Sequence, residues 1–251
     1  MDWGKPFRAI GRWSHAWWHG SGEKTPWIRR IVAVIFAFLV PIPILLILIF
    51  RFVPIPGTPQ MLLDLVTLNP VHYSWRSYDE IPPSFGQAVI GAEDQDFCIH
   101  HGFDWKEIDQ AIKQHERHPK KKLRGASTIS QQTARSLFLV NHRSWARKGM
   151  EAYLTVLLEA LWPKKRILTA YLNVVDLGHG NYGVEAAAEN YFGTSADRLT
   201  PAQSARLAAI LPDPDKWKAV GPGPYVSGRT SNILGRIGEV RRDGLDWCVK
   251  Q

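Results

Sequence analysis

The acidic cluster at residues 93–96 is the first place where the sequence could support chemistry. Glu93, Asp94 and Asp96 put three carboxylates within four residues, directly after an apolar stretch. Desolvation and neighbouring like charges raise the pKa of a carboxyl group, which is the setting that a general acid or base requires. A solvated helix end followed by a polar turn would carry the same residues, so the spacing alone leaves both interpretations open.

A glycine followed by hydroxyl and amide side chains occupies residues 125–135. Thr128 and Gln131 form a capping-box pattern, which predicts a helix N-terminus with free backbone N–H groups. Such an N-terminus attracts anions. Arg135 follows Gln131 and Gln132 by four and three residues, so the three share a helix face that can bind a sugar and a phosphate. An ordinary well-capped helix is the alternative.

A second charged cluster lies at residues 147–151. On a helix, Arg147 and Lys148 precede Glu151 by four and three residues, so both cations flank its carboxylate and favour its ionised form. The functional interpretation is a cationic patch for pyrophosphate, oriented by its own carboxylate. The alternative is a surface ion pair, worth about 0–1 kcal/mol. A basic run at residues 117–124 would contact either solvent or acidic lipid headgroups.

The elements that must position these residues begin with an apolar run. Residues 31–50 contain no charge and would span about 30 Å as a helix, the thickness of a bilayer's hydrocarbon core. We predict a retained transmembrane helix, because no small-residue cleavage site follows it. Residues 1–30 carry six Lys and Arg against two Asp and Glu, so the positive-inside rule places this tail in the cytoplasm. Residues 51–251 then lie outside the cytoplasm.

The outer part of the chain reads as a linker and one domain. Prolines and a glycine predict a juxtamembrane linker over residues 51–75. Within it, residues 60–68 are apolar and suit either a core helix or a segment that dips into the membrane surface. Beyond it, helical apolar spacing and capping boxes predict one mainly α domain over residues 76–251. Two further capping boxes are expected, Ser84 with Gln87 and Thr200 with Gln203.

Composition is that of a folded protein, with 45% apolar and 22% charged residues. The net charge of +8 at pH 7 favours anionic partners such as phosphates, acidic lipids or nucleic acid. Two cysteines, Cys98 and Cys248, are too few for a disulfide framework or a multi-cysteine zinc module. We expect these two cysteines to remain unpaired.

Five blocks, in this order, resemble the family-51 peptidoglycan glycosyltransferases, and especially their monofunctional biosynthetic members from Gram-negative bacteria. Together the blocks lie within about residues 75–236, and five ordered blocks are far more specific than any one of them. They are Glu93-Asp94-x-x-Phe97-x-x-His100-x-Gly102, Gly125-x-Ser127-Thr128-Ile129-x-Gln131-Gln132, Arg147-Lys148-x-x-Glu151, Lys165-Arg166-Ile167-Leu168-x-x-Tyr171-Leu172-Asn173 and Gly183-Val184-Glu185-Ala186-Ala187-Ala188-x-x-Tyr191-Phe192.

The resemblance implies a mainly α, lysozyme-like fold of two lobes, with one lobe partly sunk in the outer leaflet. It implies polymerisation of lipid II: the 4-hydroxyl of an incoming GlcNAc attacks C1 of the growing chain's MurNAc, C1 inverts, and undecaprenyl pyrophosphate leaves. By this likeness Glu93 is the general base, and Glu151 is a second catalytic carboxylate beside the pyrophosphate. The residues that match substrate-binding positions are Ser127, Thr128, Gln131, Gln132, Arg135, Arg147, Lys148 and Asn173.

The resemblance also implies partners and a location. Lipid II, the growing glycan chain and membrane lipids are expected partners, other cell-wall synthases remain open, and nucleic acid is not expected. The catalytic domain would lie in the periplasm, on a single-pass anchor in the bacterial inner membrane. No metal motif demands a cofactor, although a divalent cation such as Mg²⁺ or Mn²⁺ assists some family members. Arg135 stands where the family usually has lysine, and arginine keeps the charge and binds phosphate through two hydrogen bonds.

Two other functions fit parts of the sequence. A membrane-bound lytic muramidase also uses a glutamate on a helical, lysozyme-like fold, but its leaving group is a sugar hydroxyl, which does not need the cations beside Glu151. A non-catalytic basic module that binds acidic lipid fits the net charge, and its function would survive the substitution Glu93→Gln.

Overall fold

The computed structural model describes residues 27, 29, 30, 36, 40–118, 125–142 and 144–250. Within these ranges, ten α-helices and one pair of short strands have defined ends. The chain divides into two units, residues 1–44 and 45–251. The helices are α1 (Pro41–Phe50), α2 (Pro59–Val66), α3 (Pro83–Glu93), α4 (Trp105–Arg117), α5 (Ile129–Phe138), α6 (Trp145–Leu161), α7 (Lys164–Val174), α8 (Gly183–Phe192), α9 (Pro201–Ile210) and α10 (Pro224–Arg242). The strands are β1 (His72–Tyr73) and β2 (Asn181–Tyr182).

Two helices begin at the capping boxes that the sequence predicts. Thr128 accepts from the backbone N–H of Gln131, and the Gln131 side chain accepts from the backbone N–H of Thr128, which starts α5. Thr200 and Gln203 cap α9 in the same reciprocal way. These caps satisfy backbone donors that have no partner within the helix, and they define where each helix starts.

The capping box predicted at Ser84 and Gln87 is wrong. Helix α3 begins at Pro83, so both residues lie inside the helix and are buried. The Ser84 hydroxyl lies 3.0 Å from that of Ser204, and Gln87 donates to Asp246 at 3.0 Å. Tertiary partners therefore use these polar groups, and a proline at the first position makes a side-chain cap less necessary.

Residues 45–251 contain two groups of packed helices. Helix α3 packs against α9 and α10, while α5, α6 and α7 pack on one another, with α8 against α7. The strands β1 and β2 pair in parallel, with His72 opposite Asn181 and Tyr73 opposite Tyr182. This architecture confirms the mainly α fold. The likeness to lysozyme stays a prediction.

The predicted linker, residues 51–75, packs against the folded unit and contains regular elements. Ile55 and Met61 are buried in the core, and the segment supplies α2 and β1. The guanidinium of Arg166 donates to the carbonyl oxygens of Phe50 and Val53, which fastens the start of the segment to α7. The prolines and the glycine of this segment correctly predict an irregular backbone at residues 54–58. Burial of Ile55 and Met61 holds the segment against the domain.

Helix α2 decides between the two alternatives for residues 60–68. Met61 is its buried residue, whereas Leu62 is 64% exposed, Val66 is 73% exposed and the following Leu68 is 92% exposed. Gln60 accepts from the backbone N–H of Asn141, and Asp64 accepts from the hydroxyl of Tyr182, so hydrogen bonds also attach the helix to the domain. Because its apolar residues other than Met61 face outward, it is not a core helix.

The predicted transmembrane helix, residues 31–50, falls partly outside the described residues, which include only residues 36 and 40–50 of it. Its described part includes the ten-residue helix α1. None of the helices in the described ranges is both long enough and apolar enough to cross a bilayer. The cytoplasmic tail and most of the basic run at residues 117–124 also lie outside the described residues. These assignments stay predictions.

Cys98 and Cys248 form a disulfide, so the expectation that they are unpaired is wrong. Cys98 lies in the turn after α3, and Cys248 lies in a short 3-10 helix, Trp247–Val249, that packs against α7. Their Cα atoms are 5.4 Å apart although 150 residues separate them in the sequence. Spacing could not show this pairing, because packing of distant elements brings the two cysteines together.

Loss of this disulfide should destabilise the domain. Replacing both cysteines by serine should lower the free energy of unfolding by about 2–5 kcal/mol, because a bridge that closes a long loop restricts the unfolded chain. Denaturant unfolding of the purified protein in detergent measures the change. A reductant should produce a similar loss in the wild-type protein and none in the double variant. Equal unfolding midpoints for the wild type and the variant would contradict the prediction.

Candidate active site

Glu93 is the last residue of α3, and its side chain is only 15% exposed. The helix before it is buried from Ser84 to Gly91, which holds its C-terminal end in place. Burial raises the pKa of Glu93, against the lowering effects of the hydrogen bond from Gln132 and the charge of Arg229. A carboxyl group with a raised pKa in a polar groove has the property expected of a general base.

Two side chains from distant elements hold the Glu93 carboxylate, one at each oxygen. Gln132 Nε2 on α5 donates to Oε2 at 3.1 Å, and Arg229 Nη2 on α10 donates to Oε1 at 3.3 Å. The hydroxyl of Tyr171 donates to Gln132 Oε1 at 3.1 Å. A carboxylate oxygen can accept more than one hydrogen bond, so Glu93 keeps capacity to accept from a substrate hydroxyl.

Asp94 joins the end of α3 to the start of α5. Its Oδ2 accepts from the backbone N–H of Ile129 at 2.9 Å, and its Oδ1 lies 2.9 Å from His100 Nε2. The backbone N–H of Gly102 donates to His100 Nδ1 at 3.2 Å, so the ring proton belongs on Nε2 and points at Asp94. This carboxylate therefore has a positioning role, and it brings Glu93 beside α5.

The second cluster has the geometry that the helical spacing predicts. Arg147 Nη1 donates to Glu151 Oε2 at 2.8 Å, and Lys148 Nζ contacts Glu151 Oε1. The Glu151 side chain is 2% exposed, whereas that of Lys148 is 41% exposed. One buried carboxylate thus holds two cations, and the cluster keeps an excess positive charge for an anion.

Ser127 links the two clusters. Lys148 Nζ donates to Ser127 Oγ at 3.2 Å, and Gln132 Nε2 lies 3.5 Å from the backbone oxygen of Ser127. Glu93 and Ser127 also line the same groove, which has a volume of about 210 Å³. A continuous chain of contacts therefore leads from the carboxylate of Glu93 to the ammonium of Lys148.

Three of the predicted substrate-binding residues use their side chains for hydrogen bonds within the fold. Thr128 and Gln131 use their side chains to cap α5. Asn173 is fully buried, and its amide bonds the backbone N–H and C=O of Arg76 as well as the C=O of Thr169. These hydrogen bonds position the three residues, and their contacts with a substrate stay predictions.

Arg135 lies on α5 within electrostatic reach of Glu93. Its charge lowers the pKa of Glu93. Within the described part of the chain, the buried Nε of Arg135 has no hydrogen-bond partner. Its role in binding an anion stays a prediction.

Arg229 is the site residue that the sequence did not indicate. It lies on α10, 136 residues after Glu93, and its Nε donates to the backbone oxygen of Ala209 at 3.2 Å. This second contact orients the guanidinium toward the carboxylate. Arg229 is outside the motif blocks, and no local spacing distinguishes it from the other arginines of α10, so only the packing of α10 on α3 reveals it.

No metal centre is evident at these clusters. Across residues 40–118, 125–142 and 144–250, no three His, Cys, Asp or Glu side chains converge as metal ligands would. Asp94, the acid next to Glu93, already accepts from Ile129 and His100.

Comparison with known proteins identifies the family. The transglycosylase family model matches residues 61–237, which include both charged clusters. A biosynthetic peptidoglycan transglycosylase of Caulobacter vibrioides is 48% identical over 222 residues, covering 88% of this chain and 96% of the relative. Proteins with the same name from Chromohalobacter salexigens and Pseudomonas aeruginosa are 48% and 43% identical, covering 82% and 86% of this chain and 92% and 94% of those relatives. The chain therefore belongs to the transglycosylase family, the family-51 peptidoglycan glycosyltransferases whose motif blocks it carries.

Proposed function

We propose that the protein polymerises lipid II into glycan strands in the groove beside Glu93. The observation that carries this proposal is the contact chain Glu93–Gln132–Ser127–Lys148, which joins a carboxylate of raised pKa to a cationic cluster. A reaction that takes a proton from a sugar and releases a lipid pyrophosphate needs both groups close together. The names of the relatives, biosynthetic peptidoglycan transglycosylases, support the same substrate class.

Glu93 acts as the general base in the proposed mechanism. Its carboxylate accepts the proton from the 4-hydroxyl of the incoming GlcNAc while that oxygen forms a bond to C1 of the growing chain's MurNAc. A raised pKa makes the carboxylate a stronger proton acceptor, and the donors Gln132 and Arg229 favour the ionised form that the step requires. Attack occurs from the face opposite the leaving group, so the configuration at C1 inverts.

Lys148 and Arg147 stabilise the leaving group. As the bond from C1 to the undecaprenyl pyrophosphate breaks, its electron pair remains on the phosphate oxygen. Glu151 holds both cations in place before the reaction, so they stabilise the growing negative charge without rearranging. The partial exposure of Lys148 leaves its ammonium accessible to the pyrophosphate.

The cationic cluster argues against the lytic muramidase alternative. Glu151 is almost fully buried, and burying a carboxylate is unfavourable unless strong partners compensate. A hydrolase whose leaving group is a sugar hydroxyl gains nothing from this arrangement. A pyrophosphate leaving group, in contrast, uses the excess positive charge directly.

We also propose that the domain works on the outer surface of the bacterial inner membrane, anchored by residues 31–50. The Cys98–Cys248 disulfide supports a compartment outside the cytoplasm, because disulfides persist where the environment is oxidising. The apolar residues that α2 exposes support contact with lipid, since soluble surfaces rarely present such a cluster.

Replacing the proposed base should abolish polymer formation. Glu93→Gln keeps the size of the side chain but removes the proton acceptor, so the rate of glycan synthesis should fall by about 10²–10⁴-fold. The assay follows labelled lipid II with the purified full-length protein in detergent. Glu239→Gln, at an exposed position of α10, is the matched control and should keep the wild-type rate.

Two outcomes of that assay contradict the proposal. Polymer made at the normal rate by the Glu93→Gln variant would remove the base assignment. Shortening of preformed glycan by the wild-type protein, without use of lipid II, would favour the muramidase instead.

Loss of the exposed cation should slow release of the pyrophosphate. Lys148→Ala should lower kcat by about 10²–10³-fold, the usual effect of removing one group that stabilises charge in the transition state. Lys113→Ala is the matched control, because Lys113 forms an exposed ion pair with Asp109 on α4. Unchanged turnover combined with a lower melting temperature would show that Lys148 has only a structural role.

The outward face of α2 should lie in the lipid surface. A fluorophore on Leu65→Cys in the full-length protein, reconstituted in liposomes, should be quenched by nitroxide-labelled lipids. The same fluorophore on Glu239→Cys should not be quenched, and the native cysteines will not react because they are paired. Equal quenching at both positions would refute contact of α2 with the membrane.

A further inference from the structure

We propose that Tyr171 is a positioning residue for the base: its hydroxyl fixes the orientation of the Gln132 amide, and that amide holds the ionised carboxylate of Glu93. The inference rests on the proposed function of Glu93 and deepens it. The motif blocks contain Tyr171, but they give it no role.

The geometry forms a relay of two hydrogen bonds from the core to the groove. Tyr171 lies on α7 and is fully buried, and its hydroxyl donates to Gln132 Oε1 at 3.1 Å. At the other end of the amide, Gln132 Nε2 donates to Glu93 Oε2 at 3.1 Å. The amide of Gln132 therefore lies between a hydroxyl donor and a carboxylate acceptor, and each end of the amide faces the group that matches it.

The orientation of the amide depends on both partners. If the Gln132 side chain turned over, its carbonyl oxygen would face the carboxylate of Glu93, and two acceptors would meet without a proton between them. The Tyr171 hydroxyl stabilises the productive orientation because it donates to the carbonyl oxygen. In a buried setting such linked hydrogen bonds strengthen one another.

The hydroxyl remains a donor over the pH range of the reaction. Burial raises the pKa of Tyr171 well above its ordinary value, and the charge of Glu93 raises it further. A phenol that stays protonated always presents its proton to Gln132. Ionisation of Tyr171 therefore cannot interrupt the relay near neutral pH.

Charged and titratable groups from four elements surround Glu93. Asp94 follows it at the end of α3, Arg135 lies on α5, Tyr171 lies on α7, and Arg229 reaches it from α10. Asp94 raises the pKa of Glu93, whereas Arg135 and Arg229 lower it. The hydrogen bond from Gln132 lowers it as well, and this is the contribution that Tyr171 controls.

Loss of the Tyr171 hydroxyl should raise the pKa of Glu93. Tyr171→Phe keeps the buried ring but removes the donor, so the Gln132 amide is free to turn and its hydrogen bond to the carboxylate weakens. The pKa of Glu93 then rises. Because the base works in its ionised form, activity is lost as pH falls through that pKa, so the loss begins at a higher pH in the variant.

The test is the pH profile of kcat for lipid II polymerisation by the full-length protein in detergent. For Tyr171→Phe we expect the acid limb to move up by about 0.5–1 pH unit, less than complete loss of a hydrogen bond to the charged form would cause, because the variant weakens this bond without removing its donor. The KM for lipid II should change less than about twofold, and the rate should approach that of the wild type at high pH.

Tyr153→Phe is the matched control. The buried hydroxyl of Tyr153 has no hydrogen-bond partner among the described residues, so its removal breaks no contact. This variant should keep the wild-type pH profile of kcat.

A fall in rate for Tyr171→Phe that is the same at every pH, or a change in KM alone, would overturn the proposal.

A double-mutant cycle tests the relay independently. Gln132→Ala alone should move the acid limb at least as far as Tyr171→Phe, and adding Tyr171→Phe to it should move the limb no further. An equal additional shift in the double variant would overturn the proposal. If Glu93→Gln makes polymer at the wild-type rate, the base assignment on which this proposal rests fails. If that variant is slowed as expected and the acid limb of Tyr171→Phe is unmoved, only the role of Tyr171 fails.

Discussion

The buried carboxylate of Asp94 is the interaction on which the site depends. Its side chain is 2% exposed, so its charge requires partners, and it finds them in His100 and the backbone N–H of Ile129. The N-terminus of a helix favours negative charge, and Ile129 is the first residue of α5. The end of α3 must therefore meet the start of α5. This contact places Glu93, the residue before Asp94, within hydrogen-bond distance of Gln132.

The two carboxylates of the site, Glu93 and Glu151, have different partners and therefore different properties. Glu93 has an amide and one guanidinium at its oxygens, and burial raises its pKa, so it suits proton transfer. Glu151 is held between two cations, so it suits the task of orienting them. Ser127 touches both groups of residues and keeps them within one substrate's reach. In the proposed mechanism, the first carboxylate serves the attacking hydroxyl and the cations at the second serve the leaving pyrophosphate.

Local spacing predicted the parts of the site that lie on one helix. Residues three or four apart share a helix face, so Lys148 and Glu151 had to meet once α6 formed, and Thr128 had to cap α5. The same reasoning gave the mainly α domain. It failed at Ser84, where a capping pattern lies inside a helix because a distant partner uses the hydroxyl. A local pattern cannot tell a cap from a tertiary contact.

The sequence by itself determined which groups share a helix face and therefore the make-up of each charged cluster. Only the tertiary structure decided how the clusters combine: Arg229 reaches Glu93 across 136 residues, and Cys248 reaches Cys98 across 150. It also joined Asn173 to the backbone of Arg76, 97 residues earlier in the chain. The physical reason is that hydrogen bonds and burial between distant elements depend on which helices meet. The spacing of residues three or four apart defines one face of one helix and does not specify the partner of that face.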